Sequence, residues 1–516
     1  MAKWDVVVIG AGNGGLSAAV TFAKAGKKVL ILEKHNVPGG YATSFKRGRF
    51  EFEASLHELS SYGCVQGAGN IRRIFEELGV HDKIEWCRIP DAYRMITLSD
   101  PDKIDVTMPF GVSNYIDKME EYVPGSRQKM EEIFDLCERL TKTAEFLGNI
   151  NSFNANLITE IKDNHMDFVR VAPYSVNDVL KAVGLSKRAR DIFNAYWCYL
   201  GVDCDTISAI HYLGLVDRYI NYGAVCAKGR SHELSCAFQQ RFEELGGTIY
   251  FNSFVEKIVM DNGAAVGVKV KGRDEIEYAD VIVCNSAPHN AVAKMIDPSD
   301  LPESAIRQTN ARKFAGRGFT MFLGLDKSPE ELGIKEHCYM IYDTANTVQQ
   351  VKSMETIEGN NAQATCCLNN AVPGCSPEGT TILYFTTLYT SDCWSEINER
   401  DYIKAKEYVA NRMIDNFEKA TGTKIRDSIE EIEIATPATY ARYADAPQGT
   451  IYGYSAEKWD GIVQRLMMPN SDDFIPNLYF AGGYGAQGLG FGSSYTNGYQ
   501  TANRIMKKQR KEAEQA

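Results

Sequence analysis

Apolar residues reach this chain in short bursts, and three widely spaced stretches carry the same pattern. Val6 to Ile9 is an apolar run that stops at Gly10, too short for a helix and suited to a buried strand. Leu16 to Ala25 then reads as a helix, and Val29 to Leu32 as a second buried strand ending on Glu33. The second stretch, about Lys228 to Ala287, predicts a helix over Ser231 to Leu245 and a break at Gly246-Gly247. Alternating residues follow, folded back at Asp261-Asn262-Gly263 as a hairpin, and "ADVIVCNSA" is a short buried strand running into a loop. The third, Pro476 to Ile505, reads as strand, glycine-rich loop and helix.

The segments between them have a different texture. Ile71 to Asn221 is a helical block rich in Tyr, Phe, Leu and Met, and Asp297 to Glu457 is mixed, with strand-like runs at "GRGFTMFLGLD" and "TTILYFTTLY". At 516 residues the chain exceeds what one core supports. The interleaving predicts an α/β fold: a Rossmann-type nucleotide domain from 1–70, 225–296 and 458–516, with an α+β substrate domain from 71–224 and 297–457 inserted in two pieces. Substrate is expected where the two meet.

The first stretch decides which nucleotide chemistry applies. Val6 to Ala23 lacks charge, but four of those residues are glycine, so it is not the run of about 20 apolar residues that spans a membrane. A secretory signal is a poor fit, with Lys3 offset by Asp5 and no small-residue cleavage site ahead of a plausible mature start. Gly10, Gly12 and Gly15 instead form G-x-G-x-x-G between strand and helix. Such glycines tighten the turn, admit a pyrophosphate to the backbone and let helix pack on strand, while an acid closing the second strand accepts from ribose hydroxyls. Glu33 holds that place.

Charge and cysteine usage narrow the rest. A net charge of −11 with no long basic run argues against nucleic acid as a partner. Thirteen cysteines without a C-x-x-C pair, the Cys366-Cys367 doublet included, read as scattered cytosolic thiols, and the eight histidines show no zinc-ligand spacing. No metal site is expected, and the expected location is cytoplasmic.

With all three stretches in view, the chain resembles the flavin-dependent phytoene desaturase family, in its carotenoid isomerase and retinol saturase branch. "GAGNGG", the acid at Glu33 and the Gly39-Gly40 pair in "EKHNVPGGYATSF" are similar to the family's extended FAD motif. "FEFEASLH" stands where the branch has Asp-Thr-Gly-x-His, keeping only His57. "AKGRSHEL" resembles a Lys-Gly-Gly-Ser segment with Arg230 for the second glycine, and "VEKI" resembles the strand whose valine backbone meets adenine. "TPATYARYADAPQGTIYG" is close to the pattern before the last strand, and in the closing motif Gly483 replaces an aspartate that binds the ribityl chain.

The resemblance implies noncovalent FAD held by Gly10, Gly12, Asn13, Gly14, Gly15, Glu33, Lys34, Gly39, Gly40, Val255, Gly482, Gly483, Gly492 and Ser493. A helix starting near Gly492 or Ser493 would direct its dipole at the flavin. The implied chemistry is hydride movement between flavin N5 and a carbon of a long apolar, unsaturated substrate, giving saturation, desaturation or isomerisation. His57 and Tyr495 are the candidate proton donors for net reduction. With a single G-x-G-x-x-G the electron donor or acceptor stays unnamed, as does the oligomeric state. Lipid substrates imply at most weak peripheral membrane contact, since no strongly basic amphipathic helix is evident. Of the aromatics Tyr196, Trp197, Tyr199, Tyr212, Tyr219 and Tyr222, each reads first as core and second as tunnel wall. Two other readings are a flavin amine oxidase, with Tyr452 and Tyr454 as an aromatic cage, and a prenyl- or lipid-binding protein of the same fold without catalysis.

Overall fold

A computed structural model describes residues 4–55, 58–63, 67–99, 103–148, 155–461, 465, 474–485 and 490–515. Five strands drawn from the three nucleotide-like stretches assemble into one parallel array in the order Thr248–Tyr250, Val29–Leu32, Trp4–Ile9, Ile276–Cys284, Leu478–Phe480. The three central strands run through the protein interior, which is why they read as continuous apolar runs rather than alternations. Ile276–Cys284 is long enough to serve twice: its first residues pair antiparallel with Ala264–Val270, which pairs with Val255–Asp261. The hairpin turns at Asn262 (φ 48°) and Gly263 (φ 78°), two left-handed residues as the Asn-Gly dipeptide predicts.

The helices Asn13–Lys24, Arg230–Glu244 and Phe491–Gln515 cover one face of the array in a single apolar cluster that includes Leu16, Phe238 and Ile505. The other face is closed by the hairpin and by residues around Ala291 and Ala305.

The intervening segments build a second sheet of seven strands: Ile429–Ala435, Arg317–Leu325, Thr381–Tyr389, Gln363–Cys367, Cys338–Tyr342, Tyr93–Thr97 and Asp105–Met108. The last two come from the block read as helical. They are only five and four residues long, and their apolar residues complete a sheet edge that the rest of the block does not reveal. Helices such as Arg127–Gly148 and Ala209–Val216 pack beyond them. Cys366 and Cys367, neighbours on one strand, point into different apolar clusters, as successive strand residues must. Among the described residues no helix is long and apolar enough to cross a membrane.

Candidate active site

The glycine loop is shaped by close backbone contacts. Gly10 has φ 91° and donates its N–H to Leu32 O at 2.9 Å. A Cβ on Gly15 would lie 2.1 Å from Gly10 O, and one on Gly14 would lie 2.3 Å from Gly482 N. Only hydrogen fits at either place. The Gly39 N–H donates to Ala11 O at 2.8 Å, which draws the Gly39-Gly40 segment against the loop.

These contacts outline a cavity of about 250 Å³ whose walls include Gly10, Gly12, Asn13, Gly14, Glu33, Lys34, Gly39, Gly40, Val255, Gly482 and Gly483. Glu33 is held by backbone donors, Ala11 N at 2.6 Å on Oε2 and His35 N at 2.8 Å on Oε1. Lys34 is half-buried, and desolvation lowers its ammonium pKa against the pull of Asp445 and Glu33. The opposite wall is the Thr436–Gly453 stretch, with Tyr440, Tyr443, Thr450 and Tyr452 lining the space. It is tied down by Tyr41, whose hydroxyl donates to Thr450 O at 2.9 Å. A dinucleotide fits this set: a cradle that any Cβ would fill, an acid at the strand end, and a buried Asn13 Oδ1 without a partner among the described residues.

The closing segment completes the cradle. Asn497 donates through Nδ2 to Gly482 O at 2.9 Å, and a Cβ on Gly498 would come within 2.1 Å of Gly14 O. The opening and closing helices therefore cross in near-contact at two glycines. The closing helix begins at Phe491, and Gly492 and Ser493 line a second cavity at its start. Tyr495, the second candidate proton donor, does not join them. It is fully buried between Phe238, stacked at 4.8 Å, and Phe75, edge-on at 5.0 Å. Tyr495 is absent from the walls of both cavities, and its hydroxyl has no partner among the described residues.

The second cavity, about 140 Å³, shares Ser55, Tyr452, Gly490 and Phe491 with the first. Its other walls combine Ile71, Leu200 and Leu215 with Tyr199, Tyr219, Glu58, His211 and Arg218. Of the aromatic series, Tyr199 and Tyr219 thus face this space, while Tyr196 and Tyr212 are core. Tyr219 and Arg218 enter it from a single π-helical turn, Asp217–Asn221, that prolongs Ala209–Val216. Such turns re-aim side chains that a regular helix would place elsewhere.

Glu58 is the residue that sequence reasoning missed. It is 4 % exposed, and its Oε1 accepts from the Tyr199 hydroxyl at 2.5 Å, while Oε2 has no partner among the described residues. Desolvation pushes its carboxyl up to about 8, with the Tyr199 hydrogen bond opposing, so it carries a proton at neutral pH. His57, beside it, lies outside the described residues. A second buried acid, Glu53, is raised by desolvation to about 7. It has a structural partner, accepting from Ser231 N at 2.9 Å at the start of Arg230–Glu244. Arg230, where the related motif has glycine, adopts φ 67° and is held by Glu51 at 3.4 Å and Cys375 O. The proposed aromatic cage is not assembled: Tyr452 lines both cavities, but Arg312 lies 4.2 Å over the Tyr454 ring and Tyr454 is outside both linings.

Two sheets built from interleaved stretches of the chain, a glycine cradle for a dinucleotide and a second cavity against it define a flavin oxidoreductase architecture. Residues 14–506 match the family model described as flavin containing amine oxidoreductase, and the chain belongs to that family. It is an FAD enzyme. Among relatives, an all-trans-retinol 13,14-reductase of Danio rerio is 26% identical over 93% of this chain and 82% of its own length. A chloroplastic prolycopene isomerase of an Oncidium hybrid cultivar is 24% identical over 98% of this chain and 84% of its own. A solved oxidoreductase from Methanosarcina mazei superposes with a TM-score of 0.65 at 15% identity, over 97% of this chain and 99% of that one, a likeness of fold.

Proposed function

We propose that this enzyme reduces a carbon–carbon double bond of a long, largely apolar, unsaturated substrate. The observation that carries the reading is Glu58: a protonated carboxyl, deeply buried, in the wall of the cavity that adjoins the cofactor cradle. FAD, when bound, supplies hydride exchange at N5. Gly10, Gly12, Gly14 and Gly15 with Glu33 would hold its nucleotide half, and Gly482, Gly483, Gly492 and Ser493 would lie along the other. Hydride addition to one carbon leaves the neighbouring carbon in need of a proton, and a buried acid with pKa near the working pH is suited to give it. Ile71, Leu200, Leu215 and Phe491 exclude water from the slot. The retinol reductase and prolycopene isomerase relatives act on polyenes by their names, which supports the substrate class.

A cytoplasmic location with weak peripheral membrane contact belongs to the same reading. Val169 and Tyr174, both exposed on the helical part, are apolar groups available for such a contact. The electron donor is a separate protein or small reductant outside the chain's own motifs.

The test is anaerobic. The flavin is reduced chemically, and polyenes and unsaturated acids are added. A product heavier by two hydrogens, formed as the flavin reoxidises, is the expected result. An unchanged mass with a displaced or isomerised double bond overturns net reduction, and oxidation of amines in place of any alkene turnover overturns the substrate class.

A further inference from the structure

The second cavity carries a charge that its apolar walls do not explain. Arg218 lines the cavity from the π-helical turn and is partly exposed there, and desolvation lowers its guanidinium pKa against the pull of Glu145 and Asp217. No carboxylate of the described residues reaches it within 4.0 Å, and none of its nitrogens donates a hydrogen bond to them. Asp217, its neighbour in sequence, is engaged instead by Asn221 Nδ2 at 3.1 Å.

His211, on the same cavity wall, has both ring nitrogens buried and unpartnered among the described residues. Desolvation, with Arg465, Arg218 and Arg312, keeps it neutral, so it offers one N–H donor. Behind it, Arg312 and Arg465 share the carboxylate of Asp460 at 2.8 and 3.5 Å. The charges acting on His211 are therefore cationic. Glu58 differs electrostatically: its carboxyl is shifted by burial and Tyr199, and no cation offsets it.

A partly desolvated guanidinium with no carboxylate paired to it among the described residues is costly, and the cost is removed when a ligand brings the anion. A carboxylate matches the guanidinium fork with two parallel hydrogen bonds, and a neutral imidazole N–H beside it supplies a third. The same cavity is also walled by Leu200, Leu215 and Tyr219, apolar surface suited to a hydrocarbon chain.

We infer that Arg218 and His211 form a head-group site that binds the carboxylate of the substrate, which makes the substrate a long-chain unsaturated carboxylic acid rather than a hydrocarbon polyene or an alcohol. The inference rests on the proposed reduction for the identity of the chain, but binding tests it alone. A cationic end also disfavours amines, which arrive as ammonium ions.

The experiment titrates FAD-loaded enzyme with an all-trans polyenoic acid, its methyl ester and the corresponding alcohol, reading the perturbation of the flavin spectrum in the absence of turnover. The acid is expected to bind at least 10-fold tighter than ester or alcohol, in line with about 1.4 kcal/mol per tenfold. Arg218→Gln should abolish that preference while leaving ester binding and flavin content unchanged, and Arg218→Lys should restore part of it. His211→Asn should weaken acid binding by a smaller factor. Equal binding of acid, ester and alcohol to the native enzyme overturns the inference. So does an Arg218→Gln variant that keeps its flavin and the preference for acid, or that loses all three ligands alike. An acid that binds through Arg218 and is never hydrogenated leaves the head-group site standing and removes the reductase reading.

Discussion

In the proposed reduction, the chemistry turns on Glu58. Its raised carboxyl makes reduction a low-pH-limb activity: turnover holds while Glu58 is protonated and falls as pH rises through about 8. Glu58→Gln keeps an acceptor for Tyr199 and removes the proton. It should lower the rate of alkene reduction by about 10²- to 10⁴-fold with no change in flavin content, measured by single-turnover reoxidation. Tyr199→Phe deletes the hydrogen bond that opposes the shift, so the falling limb of the profile should move to higher pH. Stability follows the same proton. The folded-state pKa lies above the ordinary 4.5, so the native state keeps a proton that the unfolded chain has released between those values. Stability should therefore drop as pH rises from about 4.5 to about 8. Thermal unfolding of Glu58→Gln should show a shallower fall, the remainder coming from Glu53, whose window closes near 7.

Among elements, the crossing of the opening and closing helices sets the cofactor site. Gly14 against Gly482 and Gly498 against Gly14 O leave room for hydrogen alone, so the two helices, far apart in sequence, approach as closely as backbone permits. Gly498→Ala adds one methyl group in the closing helix, outside the walls of both cavities. It should still strip the protein of its yellow colour on purification and cost about 1–3 kcal/mol of stability, measured by flavin absorbance and denaturant unfolding. The same element shows why Tyr495 misleads. Two residues along a helix is a rotation of about 200°, so a tyrosine two positions past Ser493 leaves the cavity side and enters the Phe75–Phe238 core.

For the whole molecule, the nucleotide array takes strands from the beginning, middle and end of the chain, and the intervening segments form the second sheet. Neither part can be cut out as a contiguous piece. Unfolding is therefore expected as one transition reported alike by flavin release and by loss of secondary structure. FAD at about 100 times its Kd should add about 2.7 kcal/mol to the whole, checked by thermal scans with and without added cofactor. Two separate transitions, with flavin lost in only the first, would show the substrate part to be independent.

What the sequence determined by itself was the local grammar. Gly10, Gly12, Gly15 and Glu33 announce a strand, turn, helix and strand because turn conformation and apolar periodicity are properties of neighbouring residues. Asn262-Gly263 likewise announces its hairpin. The strands Tyr93–Thr97 and Asp105–Met108 pair with each other, but they were hidden inside a helical block because the strand that joins them to the sheet, Cys338–Tyr342, pairs with Tyr93–Thr97 from far along the chain. Glu58, Arg218 and His211 were illegible for a related reason. A carboxyl takes on a raised pKa, and a guanidinium a lowered one, only through the desolvation that distant segments impose together. Only the tertiary structure decided that, because the energy of a charge depends on everything around it and on very little that is adjacent in the chain.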